Sequence, residues 1–145
     1  MLAIRTILCY SAVVMLTKQK GDIATGFAIS HFLSNGYEVC LPIGDKRDYD
    51  LVIEKDGKLD TVQVKYAGLY PSKGNVCRVG LRITGGNQSY NYAKKYADDA
   101  FDILFVYTAR GQVYVLPWAE IKVRNELYIE HPKYAHYLVH ALVQG

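Results

Sequence analysis

Two strand-like runs, 49–55 and 58–67, flank the dipeptide Asp56-Gly57, the strongest short-range hairpin signal a sequence can carry. A two-residue turn of this kind needs positive φ at both positions, which Asp tolerates and Gly adopts freely. With Asp56 and Gly57 as the loop, Lys55 faces Lys58, Ile53 faces Asp60, Leu51 faces Val62 and Asp50 faces Gln63. Opposed residues share one face of a sheet, and Lys65 lies two residues beyond Gln63. Asp50, Gln63 and Lys65 are therefore expected to converge on the same side, with opposed Cβ atoms about 5 Å apart.

That trio has usable chemistry. Asp50 brings a carboxylate, the Gln63 side chain a neutral carbonyl oxygen, and Lys65 an ammonium able to orient a water or neutralise charge in a transition state. Phosphodiester hydrolysis near neutral pH calls for a hard divalent ion that polarises the phosphate and acidifies water, and such ions favour oxygen ligands. A second carboxylate would help to hold the metal, and Asp22, near the start of the first helix, is the candidate. Taken singly, each residue reads as an ordinary strand-start or solvated strand position. The convergence across a turn of known register is what gives the set its meaning.

The rest of the chain reads as an α/β domain. From 17 to 35, Ile23, Ala24, Phe27, Ala28, Phe32 and Leu33 fall at helical spacing, and Gly36 closes the helix. A short strand over 37–41 leads into the charged loop Asp45-Lys46-Arg47-Asp48. Beyond the hairpin, 75–83 reads as one strand carrying Arg78 and Arg82 on a shared face. A second hairpin, 102–108 with 112–116, turns about Ala109-Arg110-Gly111. The sheet is expected to hold about five strands. Pro117 and Trp118 open a short helical turn, and Tyr134, Tyr137, Leu138, Ala141 and Leu142 lie at helical spacing within a C-terminal helical segment over 122–145.

Composition narrows the class only loosely. With 145 residues, half of them hydrophobic, the chain suits one domain with a single core, and a formal charge of +3 permits nucleic-acid binding without demanding it. Cys9, Cys40 and Cys77 show no Cys-x-x-Cys spacing and read as buried thiols in a reducing compartment, the cytoplasm. The thirteen tyrosines offer stacking surface and hydroxyls that reach phosphates, or sheet packing. Residues 1–16 resemble a signal peptide superficially, but the apolar run is too short and interrupted for a membrane span and no small-x-small site follows. A packed N-terminal extension is expected, with Met15 an alternative start. His136 and His140 stand four apart, without the His-Glu-x-x-His pattern or cysteine pair of a zinc site. Asn87-Gln88-Ser89 matches a glycosylation acceptor, which matters only in a secreted eukaryotic protein.

Three segments in order, Lys20-Gly21-Asp22-Ile23-Ala24, Tyr49-Asp50-Leu51-Val52 and Val62-Gln63-Val64-Lys65, resemble the motifs of PD-(D/E)XK endonucleases. The chain looks in particular like the small homing endonucleases of that superfamily encoded within group I introns, where Gln stands in the usual acidic position before x-Lys. The segments 101–107 and 113–117 add to the likeness, which spans roughly 18–121. The resemblance implies a restriction-endonuclease-like core, a mixed central β-sheet flanked by helices. It also implies dependence on Mg²⁺, with Mn²⁺ as a substitute, and double-strand cleavage by a homo-oligomer, a dimer or tetramer. Two departures stand out: Tyr49 rather than Pro precedes Asp50, and the helix acid usually written Glu appears as Asp22.

On this reading double-stranded DNA is the partner, gripped mainly at phosphates. The nominated contacts are Lys46 and Arg47 before the catalytic strand, Lys73, Arg78 and Arg82 beyond it, and Lys94 with Lys95. Two rivals remain: a structure-selective nuclease acting on branched DNA, like a Holliday junction resolvase, and a DNA-binding module with a decayed nuclease site, suggested by Gln63 in place of a carboxylate.

Overall fold

The computed structural model describes residues 16–85 and 92–140. Helix α1 (Thr17–Ser34) buries Ala24, Ala28 and Phe32, a stripe at i, i+4 and i+8 that points at the sheet. At its start the Leu16 N–H donates to Gln19 Oε1 across 2.9 Å. At its end Asn35 Nδ2 donates to the His31 carbonyl, and Gly36, at φ +81°, turns the chain. Lys55 Nζ donates to the Asn35 carbonyl at 2.8 Å, tying the helix end to the first hairpin.

The strands are β1 (Glu38–Cys40), β2 (Leu51–Lys55), β3 (Lys58–Tyr70), β4 (Val76–Gly80), β5 (Arg82–Gly85), β6 (Tyr92–Lys95), β7 (Ile103–Thr108), β8 (Val113–Pro117), β9 (Glu126–Tyr128) and β10 (Leu138–His140). The main sheet runs β1-β2-β3-β7-β8-β10, with β4 and β9 branching from β3. The β3–β7 pair is parallel and the other pairs are antiparallel. A parallel pair needs a long crossover, and here β4, β5 and β6 lie within it, with no α-helix among its described residues. Strand β3 pairs with β7 through Ala67 and with β4 from Gly68 onward, so one strand links the two parts of the sheet. β5 and β6 form a separate two-stranded arm.

The first hairpin has the expected register, with Lys55 opposite Lys58, Ile53 opposite Asp60 and Leu51 opposite Val62. Asp56 and Gly57 sit at φ 53° and 81°, the backbone a tight hairpin requires. Alternation along β3 then sorts the side chains. Val62 and Val64 join Leu51, Ile53, Phe105 and the α1 stripe in one cluster. Ala67 joins Leu104, Val106, Leu116, Trp118 and the β4 and β9 residues in the other. Among the described residues one α-helix covers one face, while β4, β9 and their connections cover the other.

Several expectations need correction. Within the expected C-terminal helical segment the described residues form a 3-10 turn, Pro132–Tyr137, followed by β10, which pairs with β8 at Tyr114 and Val113. An open strand edge offers unmet backbone donors and acceptors, and pairing with it outweighs the helical spacing of Tyr134, Tyr137 and Leu138. The expected helical pairing of His136 and His140 goes with it, since His136 lies in the turn and His140 in the strand. The segment 75–83 is two strands broken at Leu81, whose N–H donates to the Asn125 carbonyl. The main sheet holds eight strands rather than about five, because short strands β9 and β10 were not legible as such. Cys77 is buried but Cys40 is exposed, on a sheet-edge strand. Residues 1–15, with Cys9, Met15 and the expected N-terminal extension, lie outside the described residues, as do Asn87-Gln88-Ser89, Ala141 and Leu142. Among the described residues no helix is long and apolar enough to cross a membrane.

Candidate active site

Strand β2 begins at Leu51, opposite Val62, so the β3 backbone beyond Val62 has no β2 partner on that side. Asp50 occupies the opening. Its N–H donates to the Val62 carbonyl at 2.8 Å, which extends the ladder by one rung. Its Oδ2 then takes the place of a further strand residue, accepting from the Val64 N–H at 2.8 Å and from Gln63 Nε2 at 2.9 Å. Gln63 is buried and its amide also donates to the Val64 carbonyl at 3.2 Å.

Asp50 is exposed along its outer side, yet its carboxylate is set back against β3. Desolvation pushes its pKa above the usual aspartate value, while the Val64 N–H and the Lys65 charge pull it back down. Lys65 follows Gln63 on the same side of β3, and its Nζ lies 5.2 Å from the centroid of the Tyr96 ring. Among the described residues Lys65 forms no salt bridge, which leaves its charge available to a substrate.

The donor set suits a hard divalent cation. Asp50 keeps Oδ1 clear of the two hydrogen bonds to Oδ2, and the Gln63 carbonyl is a second oxygen ligand within the same cluster. Presenting that carbonyl calls only for rotation about the terminal amide torsion, which is soft. Mg²⁺ commonly takes one or two carboxylates and retains several waters, so a small protein donor set is adequate. No group of three or more His, Cys, Asp or Glu side chains gathers as a metal cage among the described residues.

Asp22 makes no hydrogen bond or salt bridge to this cluster among the described residues. It is exposed on α1, which packs on the Val62 and Val64 side of the sheet. At roughly 100° per residue it lies about 120° round the helix from the buried Ala24, Ala28 and Phe32 stripe. The contacts nominated for DNA fall into three groups. Lys46 and Arg47 are exposed in the loop that runs into Asp50. Lys73 and Arg78 both reach Glu126, at 3.2 and 2.6 Å, with Arg78 also 5.4 Å from the Tyr128 ring centroid. Arg82, Lys94 and Lys95 lie on the β5–β6 arm, where Arg82 stands opposite Lys95 and also donates to Asn125 Oδ1 at 3.3 Å.

Sequence reasoning did not find the Val64 N–H, the Tyr96 ring or Glu126. The first is a main-chain group that every residue but proline carries, and the other two are distant in sequence. The expected strand over 49–55 would set Tyr49 against Val64, whereas the observed β2 starts at Leu51 and leaves the Val64 N–H to Asp50.

A profile described as PD-(D/E)XK endonuclease matches residues 15–138. Protein 5.3 of Escherichia phage T7 is 33% identical over 97 residues, which covers 66% of this chain and 75% of that protein. The solved structure of a bacterial homing endonuclease, I-Ssp6803I, superposes with a TM-score of 0.69 at 29% identity, covering 86% of this chain and 89% of that one. The chain belongs to the PD-(D/E)XK endonuclease family.

Proposed function

We propose that this nuclease is a metal-dependent endodeoxyribonuclease that cuts double-stranded DNA at specific sites, a homing endonuclease of the kind carried by group I introns. The observation that carries the reading is the meeting of Asp50, Gln63 and Lys65 where β2 ends beside β3. The likeness to a bacterial homing endonuclease over 86% of the chain supports the homing role.

Asp50 and Gln63 would hold Mg²⁺, or Mn²⁺ in its place, and the ion would supply the positive charge that polarises the scissile phosphate and acidifies water. Asp50 is kept in position by the Val64 N–H, so its free oxygen is fixed without a further strand neighbour even when the Gln63 amide turns its carbonyl to the ion. Lys65, on the same side of the strand, directs its ammonium at the phosphate oxygens as negative charge builds and orients the incoming water. Lys46 and Arg47, with Arg82, Lys94 and Lys95, grip flanking phosphates. One such site cuts one strand, so a double-strand break calls for at least a homodimer, and a tetramer also satisfies the requirement.

Cleavage of a substrate panel with Mg²⁺ tests this reading: plasmid with and without intron-insertion sequences, and a four-way junction. Preferential cutting of insertion sequences supports homing. Preference for the junction favours a resolvase-like role, and DNA binding with no cutting of any substrate favours a binding module.

A further inference from the structure

Next to Lys65 lies a cleft of about 400 Å³ whose walls include Thr17, Lys20, Val64, Lys65, Tyr66 and Tyr70. It lies along β3 past Val62, the last residue paired with β2, shares Val64 and Lys65 with the surroundings of Asp50, and has the start of α1 as its other wall. Its lining contains two lysines and no carboxylate. Lys20 is half-buried with its Nζ 5.7 Å from the Tyr66 ring centroid, and neither lysine pairs with a carboxylate among the described residues. The Lys20 ammonium on the α1 wall lies over Tyr66 and the Lys65 ammonium over Tyr96, so each brings an unpaired positive charge to the cleft's surroundings that a polyanion would neutralise. Hydroxyls of Thr17, Tyr66 and Tyr70 add donors of the kind that bind phosphate oxygens.

We propose that this cleft is a backbone subsite for the cut DNA strand, in which Lys20 binds the phosphate next to the scissile one while Lys65 faces the scissile phosphate itself. Lys20 is then a substrate-positioning residue: it fixes the register of the strand and takes no part in proton transfer. The inference rests on the nuclease reading above and identifies where the substrate backbone enters.

The test is duplex binding without divalent metal across a salt series, alongside Mg²⁺-dependent cleavage, for wild type, Lys20→Ala and Lys20→Arg. Lys20→Ala is expected to bind with a salt slope lower by about one counterion and to cut more slowly below saturating DNA, while Lys20→Arg restores the slope. Superimposable far-UV spectra and melting curves confirm that the variants fold. An unchanged slope and cleavage rate in Lys20→Ala, with wild type binding normally, overturns the subsite alone. Failure of wild type to bind duplex removes the nuclease reading and the subsite together.

Discussion

Gln63 donates through Nε2 to Asp50 Oδ2 across 2.9 Å, joining two residues thirteen apart in sequence at the point where a hairpin ladder stops. The bond fixes the carboxylate, yet the amide carries no charge. An apo site with one carboxylate avoids the repulsion that two would create. Gln63→Glu is therefore expected to lower metal-free stability, since it loses the donor and sets a second carboxylate beside Asp50. A cost of about 1–3 kcal/mol lowers Tm by a few degrees, at roughly 2–4 °C per kcal/mol. Mg²⁺ should restore more stability to the variant than to wild type, as read by melting with and without chelator.

Lys65 reaches the site without a salt-bridge partner among the described residues. Lys65→Ala should reduce single-turnover cleavage by about 10²–10³-fold, the loss typical of one transition-state donor, and leave DNA affinity within a few-fold of wild type. Quench-flow cleavage alongside a binding isotherm measures both.

Acid should silence the enzyme earlier than an ordinary aspartate would dictate. Burial raises the pKa of metal-free Asp50, the Val64 and Lys65 contributions opposing it, so a proton competes with Mg²⁺ for the carboxylate as pH drops toward that raised value and activity at limiting Mg²⁺ falls with it. Stability has the opposite sense. The folded state holds the Asp50 proton more tightly than the unfolded state, so ionisation costs stability as pH rises from the ordinary aspartate value through the raised one, and the cost is complete above it. Metal-free Asp50→Asn should be at least as stable as wild type at about pH 7.5, the gap closing toward the ordinary aspartate pKa near pH 4, as followed by thermal melts.

The arginines of the nominated DNA surface should separate by partner. Arg78 contacts both Glu126 and the Tyr128 ring, so Arg78→Ala is expected to act mainly on stability. Arg82 and Lys95 face each other with like charge, an arrangement that costs a bare strand pair and that a phosphate backbone relieves. The double variant Arg82→Ala/Lys95→Ala should lower the salt slope of binding by about two with Tm little changed.

How far the chain could be read depended on whether the information was local. Asp56-Gly57 fixes its own backbone, and with it the pairing that brings Gln63 to Asp50, so the meeting of these two side chains was legible from a dipeptide and a count. Gly57→Ala should cost about 1–2 kcal/mol from the forced left-handed backbone while cleavage persists at permissive temperature. Residues 133–143 were not legible, because the β8 edge, more than twenty residues earlier, decides that 138–140 is a strand. Asp22 was nominated by motif order, and its part in metal binding rests on that order alone.

The most direct test of the account is Mg²⁺-dependent cleavage of plasmid DNA by wild type, Asp50→Asn and Lys65→Ala, each first shown to be folded and to bind DNA. The account predicts cutting by wild type that chelator abolishes and that both substitutions reduce to near background without loss of binding. Cutting that persists in both variants, or that is indifferent to chelator, would contradict it.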